Sequence, residues 1–366
     1  MLFTALGGVL PTTRLGAQAR RPVPKPETPA ARVPSVRPQQ FLTLRGPDLA
    51  VGEDADEGPL LFAHISSVAE FADGTIVVAE SSDNTLRVFD REGRHVSTFG
   101  RRGRGPGEFT NPVTLLKLDE QRLLVMQAFF GATLLHREGG ELTLARAATR
   151  EWDFISGCVT PTGAVVAVWD GTHSLLRLAP DLSRLRAFGQ GWSKDSIPSL
   201  VEMENRGGGM LACASDGAVA FAQPSGPNVR LYGADDRLRW EIVLPSYRHT
   251  FYLMTRGPGG SRGAATIGYG DDFTSALWFL DANTLVLQVS RRDLASGGTR
   301  ARSGGAFYPT IVSVTTYFID AASGRLLGRS TALPSLISGG GPSTFRTVED
   351  PFPQLQRYRV TPTTRR

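Results

Sequence analysis

The sequence predicts an all-β fold, a six-bladed β-propeller of four-stranded antiparallel blades whose last blade is closed by the N-terminal strand. Three observations lead there. First, a hairpin unit recurs: LRVFDREGRHVSTFG (86–100), LLHREGGELTLARA (134–147), LLRLAPDLSRLRAFG (175–189), VRLYGADDRLRWEIVLP (229–245) and TYFIDAASGRLLGRSTALP (316–334). Each copy alternates apolar and polar residues at period two around an Asp, Glu or Gly turn, which is the pattern of a half-exposed hairpin. Second, a β-branched apolar strand precedes each copy, as in GTIVVAE (74–80), RLLVMQ (122–127), GAVVAVWD (163–170), GAVAFAQ (217–223) and NTLVLQVS (283–290). Third, a weaker strand precedes each of those: HISSVAEF (64–71), TLLKL (114–118), FISGCVT (154–160), MLACAS (210–215) and FTSALWFL (273–280). Four strands a–d at a period of about 40 to 65 residues make one propeller blade.

Five units are complete. The tail STFRTVEDPFPQLQRYRV (343–360) supplies strands b and c of a sixth but no strand d. FLTLRG (41–46), an orphan strand ahead of blade one, completes it and leaves no open sheet edge. The propeller is therefore expected over 41–366. Ahead of it, Leu2 to Leu10 is a short apolar run followed by Ala17-Gln18-Ala19, a small-x-small cleavage pattern, although a positive n-region is missing. Residues 1–19 are read as a signal peptide. The Pro- and Arg-rich segment 20–40 is read as a disordered linker. The run is too short to span a bilayer. A periplasmic or extracellular monomer is expected.

Of 366 residues, 41% are hydrophobic and 20% charged, ordinary for a globular chain, while 41 glycines and 24 prolines favour turns over long helices. The net charge of +5 rests on arginine, since Lys25, Lys117 and Lys194 are the only lysines. Cys158 and Cys213 form no CxxC or Cys/His cluster, so zinc is not expected. They read as two small buried residues. A disulfide requires Cα atoms within about 7 Å.

The stretch GRRGRGPGEFTNP (100–112) poses the sharpest local question. A phosphate loop needs GxxxxGK followed by Ser or Thr and a helix, and this stretch has no lysine. It reads instead as a connector between blades, with Gly supplying unusual backbone angles and Pro106 and Pro112 stiffening the turns. Residues 73–112, DGTIVVAESSDNTLRVFDREGRHVSTFGRRGRGPGEFTNP, resemble an NHL repeat, and the strand pattern over 41–360 is similar to bacterial six-bladed propellers of the NHL/TolB-like group. RAFGQGW (186–192) is a degraded second copy of the link motif, and EDPFPQLQRYRV (349–360) resembles the closing segment of such propellers.

Strand order predicts two unequal faces. Turns a→b and c→d are short, whereas links d→a and b→c include every long segment: 100–112, 190–209, 246–272 and 291–310. Long loops on a rigid scaffold carry function more often than short ones. Two sets of residues fall there. Glu80, Gln127, Asp170, Gln223, Ser290 and Asp350 end their b strands and could ring the channel mouth as ligand-binding groups. Glu80, Asp170 and Asp350 are the metal candidates. No cofactor is required, and Ca2+ is the ion such oxygen ligands would take. Arg101, Arg102, Arg104, Arg291 and Arg292 are candidate anion contacts, joined by Arg206, Arg248, Arg256, Arg262, Arg300 and Arg302 on the same links.

No catalytic residue is assigned. None of the five histidines has metal-ligand spacing, and no GxSxG elbow exists. His173 and His249 are the two expected near the long-link face. The expected function is a binding or scaffold module for a protein or anionic ligand. The resemblance implies two alternatives: a gluconolactonase-like hydrolase or lyase with a channel metal, and an NHL-type RNA binder, with nucleic acid the less expected partner outside the cytoplasm.

Overall fold

The structure, a computed structural model, describes residues 33–363 apart from 55–56, 128–130, 150–155, 168–172, 190–208, 224–225, 249–250, 257–261, 269–270, 294–298, 301–306, 309–310, 339–342 and 349–350. The signal-peptide reading of 1–19 lies outside these residues.

A 3-10 turn, Pro38–Gln40, leads into β1 (Leu42–Val51). Blade one follows as β2 (Ile65–Glu70), β3 (Ile76–Glu80), β4 (Thr85–Phe89) and β5 (His95–Phe99). Blade two is β6 (Pro112–Lys117), β7 (Arg122–Gln127), β8 (Gly131–Glu138) and β9 (Glu141–Thr149). Blade three is β10 (Gly157–Thr160), β11 (Gly163–Ala167), β12 (Leu175–Leu178) and β13 (Arg184–Phe188). Blade four is β14 (Met210–Cys213), β15 (Val219–Ala222), β16 (Asn228–Tyr232) and β17 (Leu238–Val243). A hairpin, β18 (Phe251–Arg256) with β19 (Arg262–Gly268), precedes blade five. That blade starts with β20 (Asp272–Asp281) and β21 (Thr284–Arg292), inserts a short pair β22 (Thr299–Arg300) and β23 (Phe307–Tyr308), and finishes with β24 (Ile311–Asp320) and β25 (Leu326–Ser330). Blade six is β26 (Ile337–Ser338), β27 (Ser343–Val348) and β28 (Gln354–Pro362). The six blades are antiparallel four-stranded sheets, and β1 is the outer strand of blade six, paired to β28.

Each blade is apolar on both faces of its central strands, and this builds the ring. In β3 every residue is buried, but alternate residues serve different neighbours. Val77 and Ala79 pack with Leu123 and Leu135 of blade two, whereas Ile76 and Val78 pack with Val51, Phe345 and Leu355 of blade six. Six such clusters fill the six seams. The inner strands β2, β6, β10, β14, β20 and β26 follow one another around the central channel, with β26 returning to β2.

Closure is electrostatic as well as apolar. The β1–β28 register runs from Leu42↔Pro362 to Val51↔Leu355, with a bulge between Arg45 and Leu49. The bulge presents Asp48, which accepts hydrogen bonds from Arg357 Nε at 2.9 Å and Arg359 Nε at 3.1 Å. Arg357 Nη1 also reaches Glu70 of blade one at 3.4 Å. Burial pushes the Asp48 carboxyl up, but the hydrogen bonds and charges of Arg357 and Arg359 outweigh it and hold the group below its ordinary value.

The structure corrects three expectations. Residues 33–40 are not a free linker: Ser35 pairs with Arg329, and Val36 N donates to Arg329 O at 2.9 Å, so this stretch lies along the outer strand of blade five. Segment 246–272 is not all loop, because β18 and β19 lie within it, and segment 291–310 carries β22–β23 and extends the β21–β24 ladder to Arg292↔Ile311. Cys158 and Cys213 are bonded to each other, Cα–Cα 5.5 Å, between the inner strands of blades three and four.

Candidate functional site

The connector 100–112 has the predicted role. Gly100 (φ +89°) needs to be glycine twice over, since a Cβ there would also lie 2.4 Å from the Phe109 ring. That close approach lets Phe109 bury fully in the seam of blades one and two beside Phe71 and Leu115. Phe109 N donates to Arg101 O and Gly103 N to Phe109 O, closing the loop on itself. Glu108 accepts from Gly105 N at 2.8 Å and from Arg101 Nε at 2.9 Å, and these two contacts lower its carboxyl pKa.

The residues ending the b strands come to equivalent places, as predicted, but those described are occupied. Glu80 is fully buried. Its carboxylate accepts backbone N–H bonds from Ala63 at 3.0 Å, His64 at 2.9 Å and Ser82 at 3.0 Å. Gln127 repeats the device in blade two: its Oε1 accepts Thr110 N at 2.7 Å while Nε2 donates to Thr133 Oγ1 at 3.3 Å. Both side chains thus clamp the link that enters their own inner strand. In blade five the clamp is Gln288, which accepts Leu336 N at 2.8 Å and donates to Pro334 O at 2.8 Å. Ser290 is instead buried with its hydroxyl on Ser275. Gln223 is buried, and its backbone oxygen accepts Thr274 Oγ1 of blade five at 2.7 Å. Asp170 and Asp350 lie outside the described residues. Among the described residues no group of three or more His, Cys, Asp or Glu side chains converges as a metal site would require.

Burial pushes the Glu80 carboxyl above its ordinary value, against the pull of the three amides and the Arg87 charge. A carboxyl whose folded pKa lies above its unfolded one contributes stability below the ordinary carboxylate range. That contribution is lost as pH rises through the raised value. Glu80→Gln is therefore expected to lower stability, by leaving one amide without its acceptor, and to flatten the fall in stability between mildly acidic and neutral pH. Chemical denaturation of both proteins across that range measures the slope.

The candidate arginines divide. Arg101 is 80% exposed while paired to Glu108, so it remains open to an incoming anion. Arg102 is exposed on the same connector, and Arg104 lies between them and Glu108 in the chain. On blade five, Arg291 pairs with Asp272 at 2.8 Å and Arg248 with Asp271 at 2.6 Å. Arg292 lies 4.0 Å over the Phe273 ring. Arg206 and Arg302 lie outside the described residues. Of the two histidines expected near this face, His173 precedes β12 on a b→c link and His249 lies outside the described residues.

Sequence reasoning missed another set of arginines, which are buried on the c strands. Arg137 stacks 4.2 Å over Phe71 and pairs with Asp73 of blade one, and its Nη1 donates to Glu120 O at 3.0 Å. Arg177 and Arg186 of blade three both bind Asp236 of blade four. Arg87 binds Asp83 at 2.5 Å and donates to Pro59 O at 3.1 Å. A single buried arginine within an apolar strand was the available signal, in LRVF, LLRL and VRLY.

The channel encloses a cavity of about 560 Å³ walled by inner-strand residues such as Ser66, Thr114, Ser156, Cys213 and Ser275. Its hydroxyls serve the seams. Ser66 Oγ donates to Pro112 O at 2.6 Å, and Ser156 Oγ to Gly209 O.

Residues 58–134 match a family model described as a 6-bladed beta-propeller, DUF5128. A DUF4221 member from Bacteroides vulgatus is similar in structure at TM-score 0.54 and 10% identity, over 89% of this chain and 100% of that one. A Bacteroides fragilis protein described as exported is similar at TM-score 0.52 and 8% identity, over 90% and 97%. No curated protein matches the sequence. The chain is a six-bladed β-propeller. No helix among the described residues is long and apolar enough to cross a membrane.

Proposed function

We propose that this propeller is an extracytoplasmic binding or scaffold module, taking a protein or anionic ligand on the face formed by its d→a and b→c links. One observation supports it above others. The longest links, 189–209, 244–271 and 293–310, all belong to that face, whereas the turns on the other face are short. Seams closed by apolar clusters, buried arginines and a disulfide give the rigid base on which long loops act as a binding surface. The disulfide favours an oxidising compartment, consistent with a signal peptide over 1–19. The metal-hydrolase reading finds less support, since Glu80 spends both oxygens on backbone amides.

The test compares two surface-variant panels as baits against the extracytoplasmic fraction of the source cell. The long-link panel carries Arg101→Ser with Arg102→Ser, and the short-turn panel Arg91→Ser with Arg94→Ser. Selective loss of a saturable partner from the first panel is expected. Loss from the second alone would reject this face.

A further inference from the structure

Positive charge is concentrated in two segments of the long-link face. Residues 246–272 and 291–310 hold seven arginines against three aspartates, +4 of the chain's formal +5. The first is the link from blade four to blade five and the second is the b→c link of blade five, so both emerge on one face. Two aspartates knit them at their base. Asp272 accepts Arg248 N at 2.9 Å and Arg291 Nε at 2.8 Å, while Asp271 pairs with Arg248 Nη1 at 2.6 Å, and its backbone oxygen accepts Arg292 N at 2.8 Å.

The hairpin rising from that base holds an unbalanced pair. Arg256 and Arg262 occupy directly opposed positions of β18 and β19. Like charges directly opposite one another destabilise a ladder. Elsewhere the same molecule resolves the same arrangement with a carboxylate. Arg177 and Arg186 are opposed on β12 and β13, and Asp236 of the next blade accepts from Arg177 Nη2 at 2.6 Å and Arg186 Nε at 2.7 Å. Segment 246–272 offers the Arg256–Arg262 pair no such partner of its own, because its acidic residues are Asp271 and Asp272, already engaged by Arg248 and Arg291. Beside the base, Ile311 and Val312 at the start of β24 are 44% and 55% exposed, an apolar contact next to the basic one.

We propose that this lobe, with the opposed Arg256 and Arg262 of β18–β19 beside exposed Ile311 and Val312, docks an acidic segment of a partner protein. Its carboxylates complete the arginine pair as Asp236 does in blade three, and its apolar residues cover Ile311 and Val312. Nucleic acid fits less well, since Phe273, the aromatic ring at the base, is already covered by Arg292 and cannot stack a base. The proposal rests on the long-link-face reading and narrows it to one element and one partner chemistry.

The test uses the full chain and a fluorescent peptide alternating Glu with Val, read by anisotropy at physiological salt. A Lys/Val peptide and a single-stranded RNA serve as comparisons. Arg256→Ser with Arg262→Ser is expected to weaken the acidic peptide about tenfold or more while leaving the melting temperature intact. Ile311→Ser with Val312→Ser should weaken it independently. Arg91→Ser with Arg94→Ser, on the opposite face, should not. No binding by the wild-type chain, or binding indifferent to the lobe variants, overturns the lobe and leaves the long-link face standing. Loss in the Arg91/Arg94 variant would sink the face assignment as well. Lobe-dependent binding of RNA in preference to the acidic peptide would overturn the partner class.

Discussion

Reducing the Cys158–Cys213 bond, or replacing both cysteines with serine, is expected to lower the stability of the propeller by about 4 kcal/mol. The bond closes 55 residues, and in the chain-entropy account a loop of that length lies between the values for short and for very long loops. Its position makes the loss felt across a seam. It ties the inner strands of blades three and four, where the chain takes the long excursion 189–209 between them. The other ties at this seam are side-chain contacts: Ser156 to Gly209 O, and Arg177 and Arg186 to Asp236. Hydrogen exchange should report the consequence locally, with β10 and β14 losing protection before β2 and β6. A double-serine variant as stable as wild type under oxidising conditions would contradict this role.

The second large effect is expected from Phe109→Ala, which should cost about 3 to 5 kcal/mol. Phe109 is fully buried among Phe71, Leu115 and Leu135, with the Phe99 ring centroid 6.0 Å away. The backbone around it is shaped for that ring: Gly100 is stripped of a side chain to admit it, and Arg101 and Gly103 hold its amide and carbonyl. The cavity left behind cannot collapse easily between two rigid blades. Urea denaturation gives the difference directly. A cost below about 1 kcal/mol would mean that the connector rests on its surface contacts instead.

Much of this architecture was legible because a blade imposes a double constraint on its strands. Period-two alternation marks the half-exposed hairpins, while unbroken apolar runs such as IVVAE mark strands buried on both faces. An orphan strand at each end then leaves one closure, and β1 pairs with β28 accordingly. What was not legible depends on contacts between blades. Nothing in the spacing of Cys158 and Cys213 brings their Cα atoms to 5.5 Å, because the approach is made by neighbouring inner strands. Arg137 and Arg177 look like surface charges until Asp73 and Asp236 arrive from the next blade. The equivalence of the b-strand ends slips in blade five, where a bulge between Thr274 and Ala276 shifts the register and gives the clamp to Gln288 rather than Ser290. The hairpin β18–β19 was hidden in a Gly-rich segment whose turn residues dominate its alternation.

At the channel mouth, the b-strand ends clamp links rather than hold an ion, and on this claim the binding-module reading depends. The most direct test is a thermal titration of the wild-type chain and of Glu80→Ala with Ca2+, Mg2+, Mn2+ and Zn2+, before and after chelation. The account predicts a wild-type melting temperature that no ion raises and no chelator lowers, with Glu80→Ala less stable by the same margin throughout. A saturable rise lost in the variant would contradict it, since a bound ion adds roughly 4 kcal/mol at a thousandfold excess over its dissociation constant.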